Sequence, residues 1–376
     1  AISTKASPRA SCFSLGLLHW GLLTMGCGAS SKSSHPALRF YTGATGVLKA
    51  SHSSQYGKIG PGTSTMAIRD SVMYLVGNKG MALFDVSDPD ASTLPKIGVT
   101  TDGKLKYEIN TGVIGSNSGA AVMFKDDLMY LYSGKGLQVY NVQNAKAPAK
   151  LGEPIQTGNR GFEAGAAMVS NGDRIYLAGG KGLAVIDVSN PAAPATVGEV
   201  IDTKAINDHA GIALALHGSA LYVAGGKGLA VYDVANKDRP EKVGDVISTG
   251  ALSDQGGAAL EIVEQKMYLA GGKGFATFGI SNPLKPVLVE VVSDTGLLSD
   301  NGGTAMAVAG QTLYLAGGKG LGVFDIAGPK PVKKTEGRID TGVISCDGPV
   351  DLKILGSTLF VAAGKGIATF SLQGLK

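Results

Sequence analysis

The sequence predicts an all-β fold, a seven-bladed β-propeller of four-stranded blades, and three observations predict it. Glycine fills 56 of 376 positions while charged residues make up 17%, against average shares of about 7% and about 25%. That much glycine costs roughly 1 kcal/mol at each helix-interior site and excludes a long-helix protein; a hydrophobic share of 44% excludes a disordered one. The tripeptide Gly/Asn-Lys-Gly recurs seven times, centred on Lys79, Lys135, Lys181, Lys227, Lys273, Lys319 and Lys365, spaced by 56 residues once and then by 46 five times running. Finally, the segments flanking each lysine are short, apolar on both faces and separated by Gly, Asn, Asp and Pro, which is how hairpins between buried strands read. Four strands in about 40 to 50 residues make one propeller blade.

The first element lies ahead of the repeats. Phe13 to Gly26 is a 14-residue apolar stretch preceded by Lys5 and Arg9, too short to cross a bilayer that needs about 20 residues but suited to a signal-peptide h-region. With the small Gly26 before Cys27, and Gly, Ala, Ser and Lys after it, the region resembles a bacterial lipoprotein signal. That resemblance implies a signal peptide over 1–26, lipidation of Cys27 and a Ser-rich tether over 27–37. The propeller is then expected over 38–376, in the cell envelope and lipid-anchored at the outer membrane or cell surface, or else secreted.

The repeat unit around Lys227 shows the strands in order: Gly211 to Leu216, Ala220 to Ala224, Leu229 to Val234 and Lys242 to Ile247. Prolines such as Pro191 and Pro194 follow the third strand of the preceding unit, where a central strand cannot continue. An open solenoid is the rival architecture. The last unit has three strands and no fourth, and the apolar stretch Ala37 to Lys49 can supply one. A ring in which an N-terminal strand completes the last blade is therefore expected; a solenoid would call for distinct caps.

These units resemble the LVIVD repeat, a family of propeller-forming repeats of bacterial and archaeal surface proteins. The resemblance rests on the run L-Y-L/V-A-G-G-K-G-L-x-V-x-D-V-S/A-N-P-x-x-P, clearest in Ile175 to Pro194 and Leu221 to Pro240, and extends from about Thr63 to the C-terminus. It departs at Asn141, Gly279 and Ser371, which stand in place of the third-strand Asp, and in about ten extra residues between Pro89 and Asn110. The resemblance implies fold and location more than an activity.

Two sets of candidate functional residues follow from propeller topology. The seven lysines share a face with the loops that enter each next blade and form a candidate binding ring for an acidic partner or glycan; their dull alternative is a set of hairpin tips guarding strand ends. The entry loops place Glu163, Asp208, His209, Asp254, Asp300 and Asp347 around the channel mouth. Inner strands carry Ala121, Ala167, Ala213, Ala259 and Ala305 at one repeat position where the last blade has Asp351, and two residues on, Lys353 and Glu261 replace mostly apolar neighbours. A carboxylate near a crowded axis is costly unless paired or wet, so Asp351 and Lys353 stand out. A cation held by the loop aspartates, or acid/base chemistry by Asp347 with Asp351, is the catalytic alternative. The third cysteine of the chain, Cys346, reads as a buried thiol.

Asp85, Asp187, Asp233 and Asp325 recur before turns and are expected to bond turn amides. The AGGKGL run sits between strands and lacks the phosphate-loop spacing. A net charge of +4 spread along the chain argues against nucleic acid as partner. The expectation is a monomeric, non-catalytic binding or scaffold module for a protein or glycan, with no cofactor and no metal, touching membrane only through its lipid. The alternatives are an envelope hydrolase or lyase at the channel mouth and a purely structural surface-layer module.

Overall fold

The computed structural model describes residues 50–54, 64–77, 80–88, 93–101, 103–115, 119–159, 165–207 and 209–372; the expected signal over 1–26, the expected tether over 27–37 with Cys27, and the stretch 37–49 lie outside the described residues. Among the described residues there is no helix, and the strands form seven four-stranded sheets and one two-stranded ribbon.

Each sheet is an antiparallel meander that starts at the innermost strand. Blade 1 runs Ser64–Arg69, Val72–Gly77, Gly80–Asp85 and Lys96–Ile97, and blade 2 runs Ala121–Lys125, Leu128–Ser133, Gly136–Asn141 and Ala149–Ile155. Blade 3 comprises Ala167–Asn171, Arg174–Gly179, Gly182–Asp187 and Ala195–Ile201; blade 4 comprises Ala213–His217, Ala220–Gly225, Gly228–Asp233 and Glu241–Ile247. In blade 5 the strands are Ala258–Val263, Lys266–Gly271, Gly274–Gly279 and Val287–Val292, and in blade 6 Thr304–Ala309, Thr312–Gly317, Gly320–Asp325 and Val332–Lys333. Blade 7 has Val350–Leu355, Thr358–Ala363 and Gly366–Ser371, with Ala50–Ser54 antiparallel beside the last of these. The first strand of blade 4 begins two residues later than the sequence suggests, because Gly211 donates its N–H to the Gly256 carbonyl of the next loop at 2.9 Å instead of joining its own sheet.

The ring closes through its cores. Every inner strand lies against the inner strand of the next blade, and that of blade 7 lies against that of blade 1. Seven apolar clusters fill the seven gaps between neighbouring blades. Tyr176, Leu183 and Val185 of blade 3 meet Leu221, Val223 and Tyr232 of blade 4; Phe360, Ala362 and Ile367 of blade 7 meet Met66, Leu75 and Phe84 of blade 1. Successive residues of a strand point to opposite sheet faces, so a strand buried on both faces must be apolar throughout. The second strand of blade 4, Ala-Leu-Tyr-Val-Ala-Gly, is fully buried for that reason, with each large apolar side chain contributing about 1.5–3 kcal/mol. Second-strand tyrosines also tie blades together: Tyr176 donates to the Lys237 carbonyl at 3.1 Å and Tyr222 to the Pro283 carbonyl at 2.7 Å, each across one blade boundary.

The repeat is interrupted in two places on the rim. The extra residues of the first unit form a ribbon, Val99–Thr101 against Lys104–Lys106, after which Ile109 returns to pair with Met81. Blades 2, 3 and 4 bend their outermost strands at Gly152, Gly198 and Gly244. Blade 5 has Glu290 in that place and a straighter outer strand whose Val287, Leu288, Val289 and Val291 are exposed.

Candidate functional site: the loop face and the channel

The hairpin between the second and third strands fixes each lysine. In blade 4 the glycine after Lys227, Gly228, has φ +139°, and a Cβ there would lie 2.6 Å from the Ile247 carbonyl oxygen, so the turn accepts only glycine. Lys227 donates its backbone N–H to the Ala205 carbonyl at 3.0 Å, halfway along the loop that enters the same blade. The same bond ties Lys135 to Val113, Lys181 to Asn159, Lys273 to Ala251, Lys319 to Leu297 and Lys365 to Val343. Hairpins and entry loops are thereby stitched together on one face, with these six lysines exposed in buried surroundings. Lys79 lies outside the described residues.

The entry loop runs inward from the fourth strand of one blade to the first strand of the next. In blades 6 and 7 it carries an acid on either side of the carbonyl that the lysine N–H bonds: Asp294 and Asp300 about Leu297, Asp340 and Asp347 about Val343. On the outer side Asp202, Asp294 and Asp340 are exposed, and each accepts the backbone N–H two residues on, at 3.0, 2.8 and 2.9 Å. The Lys204 ammonium, 2.5 Å away, holds Asp202 below the ordinary carboxylate range. On the inner side Asp254, Asp300 and Asp347 are exposed, as is His209. Three outer and three inner carboxylates therefore share the face with the lysines, and the face is of mixed sign instead of uniformly basic. Glu163 and Asp208 lie outside the described residues.

The inner circle is held by bonds from loop to loop. Gly165 donates to the Ala210 carbonyl, Gly257 to Gly302 and Gly303 to Gly348, at 2.9–3.0 Å. Ser253 and Ser299 donate their hydroxyls to the backbone carbonyls of Asp300 and Cys346 at 3.3 and 2.9 Å. This fixes the backbone and leaves the carboxylates outward. Among the described residues no three His, Cys, Asp or Glu side chains converge as a metal site would require. Cys346 is half-buried in its entry loop, where the sequence predicts a buried thiol.

Inside the channel the two singled-out residues come together. Asp351 Oδ1 lies 3.4 Å from Lys353 Nζ and accepts the Leu352 N–H at 2.8 Å. Its other oxygen crosses to blade 1, accepting the Thr65 hydroxyl at 3.1 Å and the Met66 N–H at 2.8 Å. The carboxylate that breaks the alanine pattern is thus a clip across the junction of the last and first blades. Asp347 is not its partner: it stays exposed in the loop. Glu261 of blade 5 shares a layer with Lys353, since each pairs with the second-strand aromatic of its own blade, Tyr268 and Phe360. Burial pushes the Glu261 carboxyl up to about 7, against the opposing pull of Lys353. Asp351, with help from Glu261, raises the Lys353 ammonium despite its burial. Lys353 is hemmed in by protein yet 46% of its side-chain surface is accessible, and the whole inner strand of blade 5 is half-buried while its second and third strands are almost wholly buried. That combination marks a channel open to water.

The recurring aspartates do turn work. Asp85, Asp187, Asp233 and Asp325 each accept the N–H two residues on at 2.8–3.0 Å, and Asn141 does the same in blade 2. Missed from the sequence was the pair Tyr132 and Asn159, bonded at 3.0 Å in the core between blades 2 and 3, with Asn159 also donating to the Leu177 carbonyl at 2.7 Å. Both break the repeat, and that was the available signal.

A ring of seven four-stranded blades defines the molecule as a β-propeller. The LVIVD repeat model matches two of its units, over residues 167–202 and 212–247. No curated protein matches the chain. Among solved structures, the N-terminal domain of Nup159 superposes with a TM-score of 0.54 at 9% identity, covering 90% of this chain and 99% of that one. A catalytically inactive virginiamycin B lyase from Staphylococcus aureus, with quinupristin, gives 0.54 at 10% identity over 83% of this chain and 95% of the lyase. The extracellular domain of BT4673 from B. thetaiotaomicron gives 0.54 at 12% identity, covering 88% of this chain and 39% of the other. At these identities the likeness is one of fold.

Proposed function

We propose that this propeller is a non-catalytic binding module that docks a protein partner at the cell envelope through its loop face. The observation that carries the reading is the circle of lysine hairpins bonded rigidly to entry loops that also expose carboxylates. Mixed charge on a fixed backbone suits a protein surface of complementary pattern better than a uniform polyanion, and such complementarity governs encounter and register. Preorganised hairpins keep the entropy cost of docking low. The fold is compatible with this use: Nup159 occurs in a complex with S. cerevisiae Dbp5 and Gle1. The N-terminal stretch supports delivery to the envelope, with Cys27 as the lipidated residue of an anchored form.

The test is capture from envelope extract by the propeller immobilised through its C-terminus. Wild type is expected to retain a partner that the double variant Lys227→Glu, Lys273→Glu loses by at least about tenfold, with binding that weakens as salt rises. Equal capture by the double variant overturns the reading. A turnover found on envelope substrates and abolished by Asp347→Ala would replace it with the hydrolase or lyase alternative.

A further inference from the structure

The channel carries a separated pair of opposite charges that the loop-face reading does not use. The layer that holds them consists of Ala67, Met123, Val169, Ala215, Glu261, Ala307 and Lys353, one residue per blade, each paired with the second-strand aromatic of its blade. Glu261 and Lys353 are therefore two blades apart, with Ala307 of blade 6 at the intervening position of the layer. Glu261 makes no hydrogen bond or ion pair to any other described residue. Asp351 cannot serve as its counterpart, because it carries the same charge and repels Glu261, its oxygens being held by Thr65, Met66, Leu352 and Lys353. Lys353 spends one of its three donors on Asp351, at a long 3.4 Å, and keeps accessible surface in the channel. Spare acceptors thus face the channel from blade 5 and spare donors from blade 7, in a ring whose other members offer no polar atom.

We propose that this layer binds a small zwitterion, an amino acid or a short amino-carboxylate, with its ammonium on Glu261 and its carboxylate on Lys353. A lone anion would leave Glu261 unmatched, and a lone cation would meet Lys353. Only a molecule bearing both charges satisfies both sides, and enclosure strengthens each charge-assisted bond relative to bulk water.

The experiment is calorimetric titration of the full chain with glycine, β-alanine and γ-aminobutyrate, which separate their charges by increasing lengths, and with acetate and methylammonium as single-charge probes. One of the three zwitterions is expected to saturate the protein below about 10 mM. Glu261→Gln and Lys353→Met are each expected to weaken it at least about tenfold, and Lys242→Ala, on the exposed outer strand of blade 4, to leave it unchanged. Circular dichroism confirms that the variants fold. With wild-type Glu carboxyls labelled with 13C, the bound zwitterion must also shift one resonance that is missing in Glu261→Gln. No saturation by any zwitterion, acetate binding as tightly as the zwitterion, or binding untouched by Glu261→Gln each overturns the proposal. The loop-face variants enter neither arm, so failure here leaves the docking reading standing.

Discussion

Glu261 places a carboxyl where burial disfavours its charge more than the pull of Lys353 favours it, and its acidity records that balance. The folded protein holds it near 7, above the ordinary value of 4.5. Below pH 4.5 both folded and unfolded chains keep the proton and the group costs nothing. As pH rises toward 7 the unfolded chain ionises first, so folding loses stability across that window and the loss levels off above it. Glu261→Gln removes the effect. The variant is expected to match wild type near pH 4 and to exceed it at pH 8 by on the order of 2 kcal/mol, an amount tempered by the wet channel. Urea unfolding at pH 4, 6 and 8 measures this; parallel stabilities at all three would show that the carboxyl is not strained. The register of Glu261 with Lys353 was readable beforehand, since 92 residues, two repeats of 46, separate them. The clip made by Asp351 was not. The sequence marks Asp351 as a break in the alanine pattern, but its partner Thr65 stands 286 residues away and is reached only when the ring shuts.

Strands and turns were the most legible level, because their signals are local and copied. Third-strand aspartates predict turn bonds, and the structure has them. Boundaries moved by a residue or two where a glycine bonds the neighbouring loop in preference to its own sheet, as Gly211 does. Glycines in these elements act for two different reasons that composition cannot separate. Gly257 sits where inner strands converge: a Cβ would lie 2.3 Å from the backbone nitrogen of Thr304 and 2.8 Å from the carbonyl carbon of Gly303. Gly244, on the outer strand of blade 4, has φ +66° with nothing within 4 Å of a Cβ. Gly257→Ala must move backbone and is expected to cost about 3 kcal/mol, by the overpacking mechanism. Gly244→Ala meets only the left-handed penalty of about 1 kcal/mol. Thermal melts of the two variants test the order, and a larger loss at Gly244 would contradict it. The mixed charge of the loop face belongs to this scale too. It escaped the sequence because the outer carboxylates join the lysine circle only through the bonds that fold each entry loop over its hairpin.

At the scale of the molecule every core lies between two blades and none lies within one. The junction of blades 7 and 1 is the one that sequence continuity between successive blades does not enforce, and there Asp351 adds polar bonds to the apolar contact of Phe360 and Ile367 with Met66 and Phe84. Asp351→Ala installs the residue that five other blades carry, so shape is preserved while the Met66 N–H, the Thr65 hydroxyl and Lys353 lose their acceptor. The expected cost is about 3 kcal/mol. Hydrogen exchange should speed up selectively in the inner strands of blades 1 and 7; an increase spread evenly around the ring would deny the clip its special place.

Shared cores carry a consequence for how such a chain can grow or shrink. The copied segment supplies one wall to each of two neighbouring cores, so excising a single unit would leave two unmatched walls that face each other and are of the same kind. Repeat number is then governed by the angle at which successive sheets meet, and the packing chemistry of any one junction is indifferent to how many others complete the circle.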